Sequence, residues 1–530
     1  MRQSLIGFFR KNGIFLMLFA LICVFYYDSV LHKGPLNTHI WRQADCISLT
    51  KNYSTGTPFL EPEMHIQLAD DLSSGKSAGE FPILYYGVGK LWQWFGESYF
   101  TYRLVWLIIL FFGTFAFFSS CRRIFNNQFW SIFLTGLLLC SPTFVVYGVS
   151  FLTDVPAFCF ILIGLYFIVR YHQENKIGSF WLAMLFFSLA GLIKVSSMIA
   201  FIFLGFILLI ETFGVKTLNG KTVFKKDSKE WMGFIAVPLT IFLWYYYAAS
   251  YNDTHQFKYT FNDIYPIWKP EEGGLVKLWE RVRTYSSYIF LNRTLWWMLG
   301  ICFLLIVFLK RKITLLARLA SIMITLGAIA YISLWGPLLG VHDYYYSALL
   351  ILIPGIFIPT VHLFKVQFPK AYQSYWVQSF FGLLLVFNFM YCIGLTRIKF
   401  SKKKTTFNII GNSELISELN YVNWEVEYKL YRFQRMQEYL KEIGIKETDK
   451  LIILPDVSFN ATLILSNHKG WTNFKKYDKP QQIRELIQKN AKYLLLGNPE
   501  LKKAPHLIPF VTDSVGVFED VGIYRLNKNQ

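Results

Sequence analysis

The chain has 530 residues, of which 54% are hydrophobic, 19% are aromatic and only 16% are charged. Soluble globular proteins carry about 25% charged residues, so this composition excludes a disordered chain, a fibrous repeat and an ordinary soluble enzyme. The formal net charge of +19 fits three explanations, which are nucleic acid, anionic lipid and the loop charges that orient membrane spans.

A membrane-spanning helix needs about 20 mostly apolar residues, and about eleven segments of this chain meet that criterion. In chain order they are approximately 14–31, 101–119, 129–147, 155–170, 179–194, 196–213, 231–249, 294–309, 313–336, 345–364 and 376–396. The pattern predicts an α-helical polytopic membrane protein.

Lysine and arginine residues fall in alternate loops between these segments. The loops concerned carry Arg122-Arg123, Arg170 with Lys176, Lys216 to Lys229, Lys310-Arg311-Lys312 and Lys365 with Lys370. Because basic loops stay in the cytoplasm, we expect a multi-pass protein of the cytoplasmic (inner) membrane with its N-terminus inside and its C-terminal part outside. This topology accounts for the basic charge, and since no nucleic-acid-binding module is recognisable, we expect no nucleic-acid partner.

The first outer loop, residues 32–100, contains the motif His39-Ile-Trp-Arg-Gln-Ala-Asp45 near the start of a helical-looking stretch. A carboxylate at Asp45, beside Arg42 and Gln43, could accept a proton from an incoming hydroxyl group. The alternative interpretation is that Asp45 caps or charges a helix N-terminus.

Glu80 lies later in the same loop, in the motif Gly79-Glu-Phe-Pro82. Acid/base chemistry and metal-assisted chemistry both use pairs of carboxylates, so Glu80 is a candidate partner of Asp45 and a candidate metal ligand. A solvated loop carboxylate is the alternative interpretation of Glu80.

Two ionisable residues stand at the outer ends of later spans. Asp154 opens the fourth span in Thr153-Asp-Val-Pro156, where it either faces an outer cavity or caps the helix. Lys194 interrupts a long apolar run and could meet an anion such as a phosphate; the alternative is a lysine that reaches to the membrane interface.

The motif Val341-His-Asp-Tyr-Tyr-Tyr346 follows the ninth span on the outer side. His342, Asp343 and Tyr344 are candidates for a polar substrate pocket. For Tyr345 and Tyr346 we favour an aromatic belt at the membrane interface.

The tail after about residue 397 alternates between helical and extended patterns. Residues 412–443 and 481–489 are predicted to be helical, and Leu451–Leu454 and Tyr493–Leu496 are predicted to be buried strands. With a closing hairpin over 515–525, the pattern predicts a compact α/β domain over residues 397–530, behind a membrane domain over residues 1–396.

Taken together, these motifs resemble a known family. The resemblance rests on the order His39–Asp45, Gly79-Glu-Phe-Pro82, Ser141-Pro142, Thr153-Asp-Val-Pro156, Leu192-Ile-Lys194 and His342-Asp-Tyr-Tyr345. The chain resembles membrane glycosyltransferases of the GT-C type, and more closely the bacterial branch of the superfamily of dolichyl-phosphate-mannose protein mannosyltransferases and aminoarabinose transferases. The tail is similar to the outer domain of some members.

The resemblance implies a polyprenyl-phosphate sugar donor in the bilayer, attacked at the outer face with inversion of the sugar. It implies that Asp45 is the general base, that Glu80 is the second acidic position of the loop and that Lys194 meets the lipid phosphate. Asp154 matches the acidic residue at the start of the fourth span, and Arg42, Gln43, His342, Asp343 and Tyr344 remain predicted substrate contacts.

The cofactor and the acceptor remain open. No cofactor is implied with certainty, and a divalent metal at Glu80 is one alternative. The acceptor is a glycan, a lipid or a protein, but the motif has one Asp where protein mannosyltransferases have an adjacent acidic pair, which disfavours a protein acceptor.

Two other functions compete with a glycosyltransferase. A lipid-linked sugar flippase or transporter would show internal repeats and polar groups near mid-membrane, whereas the motifs here cluster on one face. A surface-polysaccharide polymerase or ligase would share the lipid donor and differ mainly in the order of its motifs.

Overall fold

The computed structural model describes residues 2–28, 30–37, 39–257, 263–269, 274–309, 312–400 and 411–527. Its contacts divide the chain into two compact units. The first unit comprises Met1–His32, Arg103–Trp244 and Asp263–Gly411, and the second comprises Lys33–Tyr102, Tyr245–Asn262 and Asn412–Gln530. The domain boundary expected at residues 396 and 397 stays a prediction, and Lys310 and Arg311 of the orientation argument lie outside the described residues.

The described part of the chain is mainly helical. In chain order its α-helices are α1 (Arg2–Tyr26), α2 (Ile40–Ser54), α3 (Ile83–Phe95), α4 (Tyr99–Phe125), α5 (Gln128–Leu139), α6 (Pro142–Tyr147), α7 (Asp154–Glu174), α8 (Ile177–Ile193), α9 (Ile199–Thr212), α10 (Ser228–Thr254), α11 (Gly274–Thr284), α12 (Arg293–Phe308), α13 (Leu315–Leu339), α14 (Leu352–Gln367), α15 (Pro369–Gln373), α16 (Tyr375–Lys399), α17 (Ser413–Glu425), α18 (Tyr431–Arg435), α19 (Gln437–Glu442), α20 (Ala461–Ser466) and α21 (Pro480–Gln488).

Among the described residues, seven helices are long and apolar enough to cross a membrane. The bent pair Leu278–Phe290 and Arg293–Phe308 adds an eighth candidate, and three shorter apolar helices are Lys11–Tyr26, Gln128–Leu139 and Ile177–Ile193. Each of these elements overlaps one predicted span, which confirms an α-helical polytopic membrane protein. The number of about eleven spans stays a prediction.

Side-chain caps set the starts of several helices in the first unit. The side chains of Asn127, Asn292 and Thr314 accept hydrogen bonds from backbone N–H groups in the first turns of α5, α12 and α13. A short polar side chain satisfies a donor that has no partner inside the helix, which matters most where water is scarce. The three caps therefore fix where α5, α12 and α13 begin.

The tail of the second unit forms a five-stranded sheet. Its strands are β1 (Lys450–Leu454), β2 (Gly470–Thr472), β3 (Ala491–Leu496), β4 (Ser514–Phe518) and β5 (Val521–Arg525), in the spatial order β2-β1-β3-β5-β4. Strands β1, β2 and β3 are parallel, while β5 pairs antiparallel with β3 and β4. The predicted strands, hairpin and helix of the tail are confirmed, and β2 is an addition that the pattern did not indicate.

The first outer loop packs against this sheet within the second unit. Ile66 bridges Gly470 in parallel register, with Gln67 N donating to Gly470 O at 2.8 Å and Gly470 N donating to His65 O at 3.1 Å. Lys469 Nζ lies 2.9 Å from Glu63 Oε1. The loop thereby covers the exposed edge of β2, which would otherwise offer unpaired backbone groups.

Two helices of the loop, α2 and α3, pack closely because of one glycine. A Cβ atom at Gly89 of α3 would lie 2.7 Å from Tyr53 Cβ and 2.8 Å from Thr50 O of α2. A Cβ atom at Gly87, on the same helix, would meet nothing within 4 Å.

We therefore predict opposite effects of alanine at these two positions. Gly89→Ala forces α2 and α3 apart and lowers the thermal unfolding midpoint in detergent, at a cost of about 1–3 kcal/mol. Gly87→Ala is the matched control, and removal of backbone freedom there stabilises the helix by up to about 1 kcal/mol. Equal midpoints for the two variants would contradict the close packing.

Candidate active site

Asp45 is held inside the second unit. It is the sixth residue of α2, which begins at Ile40 and has His39 as its N-cap residue, so Asp45 does not cap the helix. Its side chain is only 2% exposed. The capping interpretation is therefore wrong, and the position of Asp45 in the chain requires another explanation.

The partner of Asp45 comes from the tail. Asn460 Nδ2 donates a hydrogen bond of 2.8 Å to Asp45 Oδ1, and Asn460 is fully buried. Sequence analysis missed Asn460, because the only local signal was the short Asn460-Ala-Thr462 pattern of glycosylation acceptors, which is common by chance.

Glu80 forms a buried ion pair with Arg42, which lies one turn before Asp45 in α2. Arg42 Nη2 lies 2.7 Å from Glu80 Oε2, and the two side chains are 7% and 9% exposed. The Tyr85 hydroxyl of α3 donates to the same carboxylate oxygen at 2.8 Å. The interpretation of Glu80 as a solvated loop carboxylate is therefore wrong.

These contacts also bear on a metal at Glu80. One of its oxygens already accepts from a cation and from a phenol, and the part of the chain that the structure describes contains no group of three or more His, Cys, Asp or Glu side chains able to hold a metal ion. The donor set does not fit a metal, so we assign Glu80 to the ion pair.

The remaining polar groups of α2 bind backbone and neighbouring side chains. The Gln43 amide accepts from Leu36 N at 3.3 Å and donates to Leu36 O, so it holds the chain that leads into the helix. Burial raises the pKa of the Cys46 thiol to about 12, which keeps this thiol neutral beside Arg42 and Glu80. A substrate contact by Gln43 stays a prediction.

A second polar cluster lies within the first unit. Lys194 Nζ is 3.3 Å from Asp154 Oδ1 and 5.5 Å from the centre of the Tyr345 ring. Lys194 ends α8 in an extended conformation, and one 3-10 turn, Val195–Met198, precedes α9. The helix break gives this lysine a partly accessible position, with 16% of its side chain exposed.

Two side chains of α4 hold the loop that carries Asp154. Arg103 Nη1 donates to Val149 O and Trp106 Nε1 donates to Leu152 O, each at 2.6 Å. Arg103 also lies over the Phe151 ring, 4.3 Å from its centre. Asp154 is then the first residue of α7, and the Thr153 side chain does not cap the helix. Sequence analysis did not single out Arg103 or Trp106, which lie in a continuous apolar span.

Asp343 pairs with a lysine that sequence analysis missed. Lys399, the last residue of α16, forms an ion pair with Asp343, which also accepts a hydrogen bond from the Tyr147 hydroxyl. Lys399 is 1% exposed and lies 5.4 Å from the centre of the Tyr147 ring. Its position beside Arg397, at the start of a basic run, resembled an ordinary end to a membrane span.

The aromatic residues after the ninth predicted span are buried. The rings of His342 and Tyr344 stack with their centres 5.3 Å apart, and the rings of Tyr344 and Tyr345 are 4.9 Å apart. Tyr345 and Tyr346 are 7% and 1% exposed, so the interpretation of these two residues as an interface belt is wrong. His342 and Tyr344 thus connect to the Lys194 cluster through Tyr345, whose ring is tilted against that of Tyr344 and lies near Lys194.

Comparison with known proteins identifies the fold of this chain. Residues 82–250 match the family described as dolichyl-phosphate-mannose-protein mannosyltransferase. The structure is similar to ArnT from Cupriavidus metallidurans bound to undecaprenyl phosphate, with a TM-score of 0.52 and 13% identity over 97% of this chain and 98% of that one. The chain has the GT-C fold.

Other comparisons agree with the GT-C fold. Apo ArnT from the same organism matches with a TM-score of 0.52 and 12% identity over 98% of this chain and 99% of that chain. The archaeal oligosaccharyltransferase AglB from Archaeoglobus fulgidus, in complex with an inhibitory peptide and a dolichol-phosphate, matches with a TM-score of 0.55 and 11% identity over 93% and 70%. No curated protein matches the sequence significantly. The expected family resemblance is confirmed.

The ion pair of this GT-C chain yields a stability prediction. Glu80→Ala leaves the buried Arg42 guanidinium without its carboxylate and destabilises the protein by about 3–5 kcal/mol, whereas the double variant Arg42→Met/Glu80→Leu recovers most of that loss. Thermal unfolding in detergent measures both effects.

The control for this prediction is an exposed ion pair of the same unit. Lys503 and Glu500 lie 2.8 Å apart with side chains 78% and 73% exposed. Lys503→Ala should change the stability by less than about 1 kcal/mol. If the Glu80→Ala variant is as stable as the Lys503→Ala variant, a structural role for the buried pair is refuted.

Proposed function

We propose that this protein transfers a sugar from a polyprenyl-phosphate donor to an acceptor hydroxyl group at the outer face of the cytoplasmic membrane. The observation that carries the proposal is the structural match over 97% of this chain to ArnT from Cupriavidus metallidurans, whose structure has undecaprenyl phosphate bound. The family match over residues 82–250, which includes Asp154 and Lys194, supports the same class of donor.

The donor needs a cation near the edge of an apolar helix bundle, because its phosphate is anionic and its polyprenyl chain stays in the lipid. Lys194 fits this role better than Lys399. Lys194 is partly exposed at a helix break and its distance to Asp154 is 3.3 Å, whereas Lys399 is enclosed in its pair with Asp343. A phosphate can compete for the first lysine, since an ionic contact in a partly dry site is strong.

Asp45 is the proposed general base. In the reaction, the acceptor O–H proton moves to the Asp45 carboxylate while the acceptor oxygen forms a bond to the anomeric carbon. The bond between that carbon and the phosphate oxygen breaks, and polyprenyl phosphate leaves with the electron pair. A single displacement of this kind inverts the anomeric centre. The Asn460 amide donates to this buried carboxylate and holds it in one orientation, which favours proton transfer.

The central test is donor turnover by the purified full chain in detergent. Polyprenyl-phosphate sugars and lipid-linked oligosaccharides are offered separately with candidate acceptors, and loss of the donor is followed. We expect turnover of the monophosphate donors, and loss of at least about 100-fold in Asp45→Asn, since a general base contributes 10²–10⁴-fold.

Three outcomes discriminate between the functions. Unchanged turnover in a folded Asp45→Asn variant would refute the role of Asp45 as the general base. Turnover of oligosaccharide donors alone would favour a polymerase or ligase. A donor that stays intact with every sugar, together with faster lipid crossing in vesicles, would favour a flippase.

The role of Lys194 is tested by a charge series. Lys194→Met should raise the KM for the lipid donor by about 10-fold or more, since a charge-assisted contact is lost, while Lys194→Arg should retain most of the affinity. Donor titration of initial rates separates KM from kcat.

The matched control lies at the other end of the same helix. Lys176 precedes α8, is 66% exposed and pairs with Glu174 at 3.4 Å. Lys176→Met should leave the KM for the donor unchanged. Similar KM values for the Lys194→Met and Lys176→Met variants would exclude a phosphate contact at Lys194.

A further inference from the structure

The sheet of the tail has a point where its strand order reverses. β1 is followed along the chain by β2 on one side, and the chain then crosses to β3 on the other side of β1. Open α/β sheets bind ligands at such a switch point, beyond the carboxyl ends of the strands. In this chain the loop at that position is 455–460, which runs from β1 to α20.

This loop is held in one conformation by hydrogen bonds within it and with the first turn of α20. Asp456 Oδ1 accepts from Ser458 N at 2.8 Å, and Asp456 Oδ2 accepts from Thr462 N at 3.0 Å and from Thr462 Oγ1 at 2.6 Å. Ser458 Oγ in turn accepts from Ala461 N at 2.9 Å. The last residue of the loop, Asn460, is therefore presented at a defined position.

The amide group of Asn460 is oriented by the first outer loop. Its Oδ1 accepts from Ile66 N at 2.9 Å and from Ser48 Oγ at 3.4 Å. Because a backbone N–H and a hydroxyl occupy the oxygen, the NH2 group faces the other way, where it donates to Asp45 Oδ1 at 2.8 Å. Asn460, at the switch point, thus donates to the carboxylate of Asp45.

We propose that Asn460 is a positioning residue for Asp45, and that the tail sheet uses its switch point to hold the carboxylate of the first outer loop. This inference rests on the proposed function of Asp45 and assigns a role to the tail. A donor to the charged carboxylate stabilises the ionised form and fixes the orientation of the carboxylate.

Other ionisable groups surround the same helix and contribute to its electrostatics. Arg42 and Cys46 belong to α2, Glu80 and Tyr85 follow in the loop and in α3, and His65 lies in the segment that bridges β2. Burial and the nearby Lys51 charge keep the pKa of His65 well below its usual range. Helix α20, which packs on α2, contains no titratable side chain.

The test compares Asn460→Ala and Asn460→Asp with the wild type. In Asn460→Ala we expect kcat to fall about 10- to 100-fold at constant KM for the donor, since the carboxylate loses its orientation. The acidic limb of the kcat profile should move up by about one pH unit, because loss of a donor to the charged form raises the pKa of the base. Asn460→Asp places a second carboxylate there and should move the limb further.

The control breaks another contact between the same two segments. Lys469→Gln removes the Lys469–Glu63 ion pair, which does not touch Asp45. We expect kcat within about twofold of the wild type and an unmoved acidic limb. A lower unfolding midpoint in Asn460→Ala with a wild-type pH profile would overturn the proposal, since that result is expected of a purely structural residue.

A second readout keeps this inference independent of turnover. An isotope-edited infrared titration, taken as the difference between wild type and Asp45→Asn, reports the carboxyl pKa of Asp45 directly. The value should rise in an Asn460→Ala background. A wild type without donor turnover would refute the proposed function, whereas an Asp45 pKa that is unchanged in Asn460→Ala would refute the role of Asn460.

Discussion

A charged group that leaves water needs a partner, and α2 in the second unit is organised by that constraint. An unpaired buried charge costs several kcal/mol, so a helix with Arg42, Gln43 and Asp45 on it can be buried only against matching groups. Glu80 supplies the partner of the first and the Leu36 backbone that of the second. The partner of Asp45 comes from the tail, through Asn460.

The same constraint separates two lysines of the first unit, Lys194 and Lys399. Lys399 is enclosed with Asp343 and Tyr147. Its ion pair therefore holds the end of α16 against the motif that begins at His342. Lys194 has a longer contact with Asp154 and keeps part of its side chain exposed. Accessibility, rather than charge, distinguishes a cation able to meet a ligand from one that stabilises the fold.

The tail packs against the first outer loop of the same unit. Its edge strand β2 is covered by the bridge between Ile66 and Gly470, and its switch-point loop meets α2. Both contacts join the first outer loop to residues more than 390 positions away in sequence. Without the tail, the buried polar groups of this loop would lack hydrogen-bond donors and acceptors. The contacts with the tail therefore stabilise one conformation of the loop.

A large part of the architecture follows from local patterns. Long apolar runs have one stable form in a bilayer, the helix, so apolar helices were predictable at these positions, although the predicted span 129–147 is divided between α5 and α6. The alternation of the tail indicated Leu451–Leu454 and Tyr493–Leu496 as strands, whereas β2, with only three residues, is too short to show a period. The helical stretch expected at the His39–Asp45 motif corresponds to α2.

The sequence by itself determined the helical membrane architecture, the α/β character of the tail and the short set of ionisable groups beside apolar runs, including Asp45, Glu80, Asp154 and Lys194. Only the tertiary structure decided which groups meet. Asn460 lies 415 residues from Asp45, and Lys399 lies 56 residues from Asp343. Hydrophobic periodicity records whether a residue is buried, but a hydrogen-bond partner depends on how distant segments pack, and no local pattern contains that information.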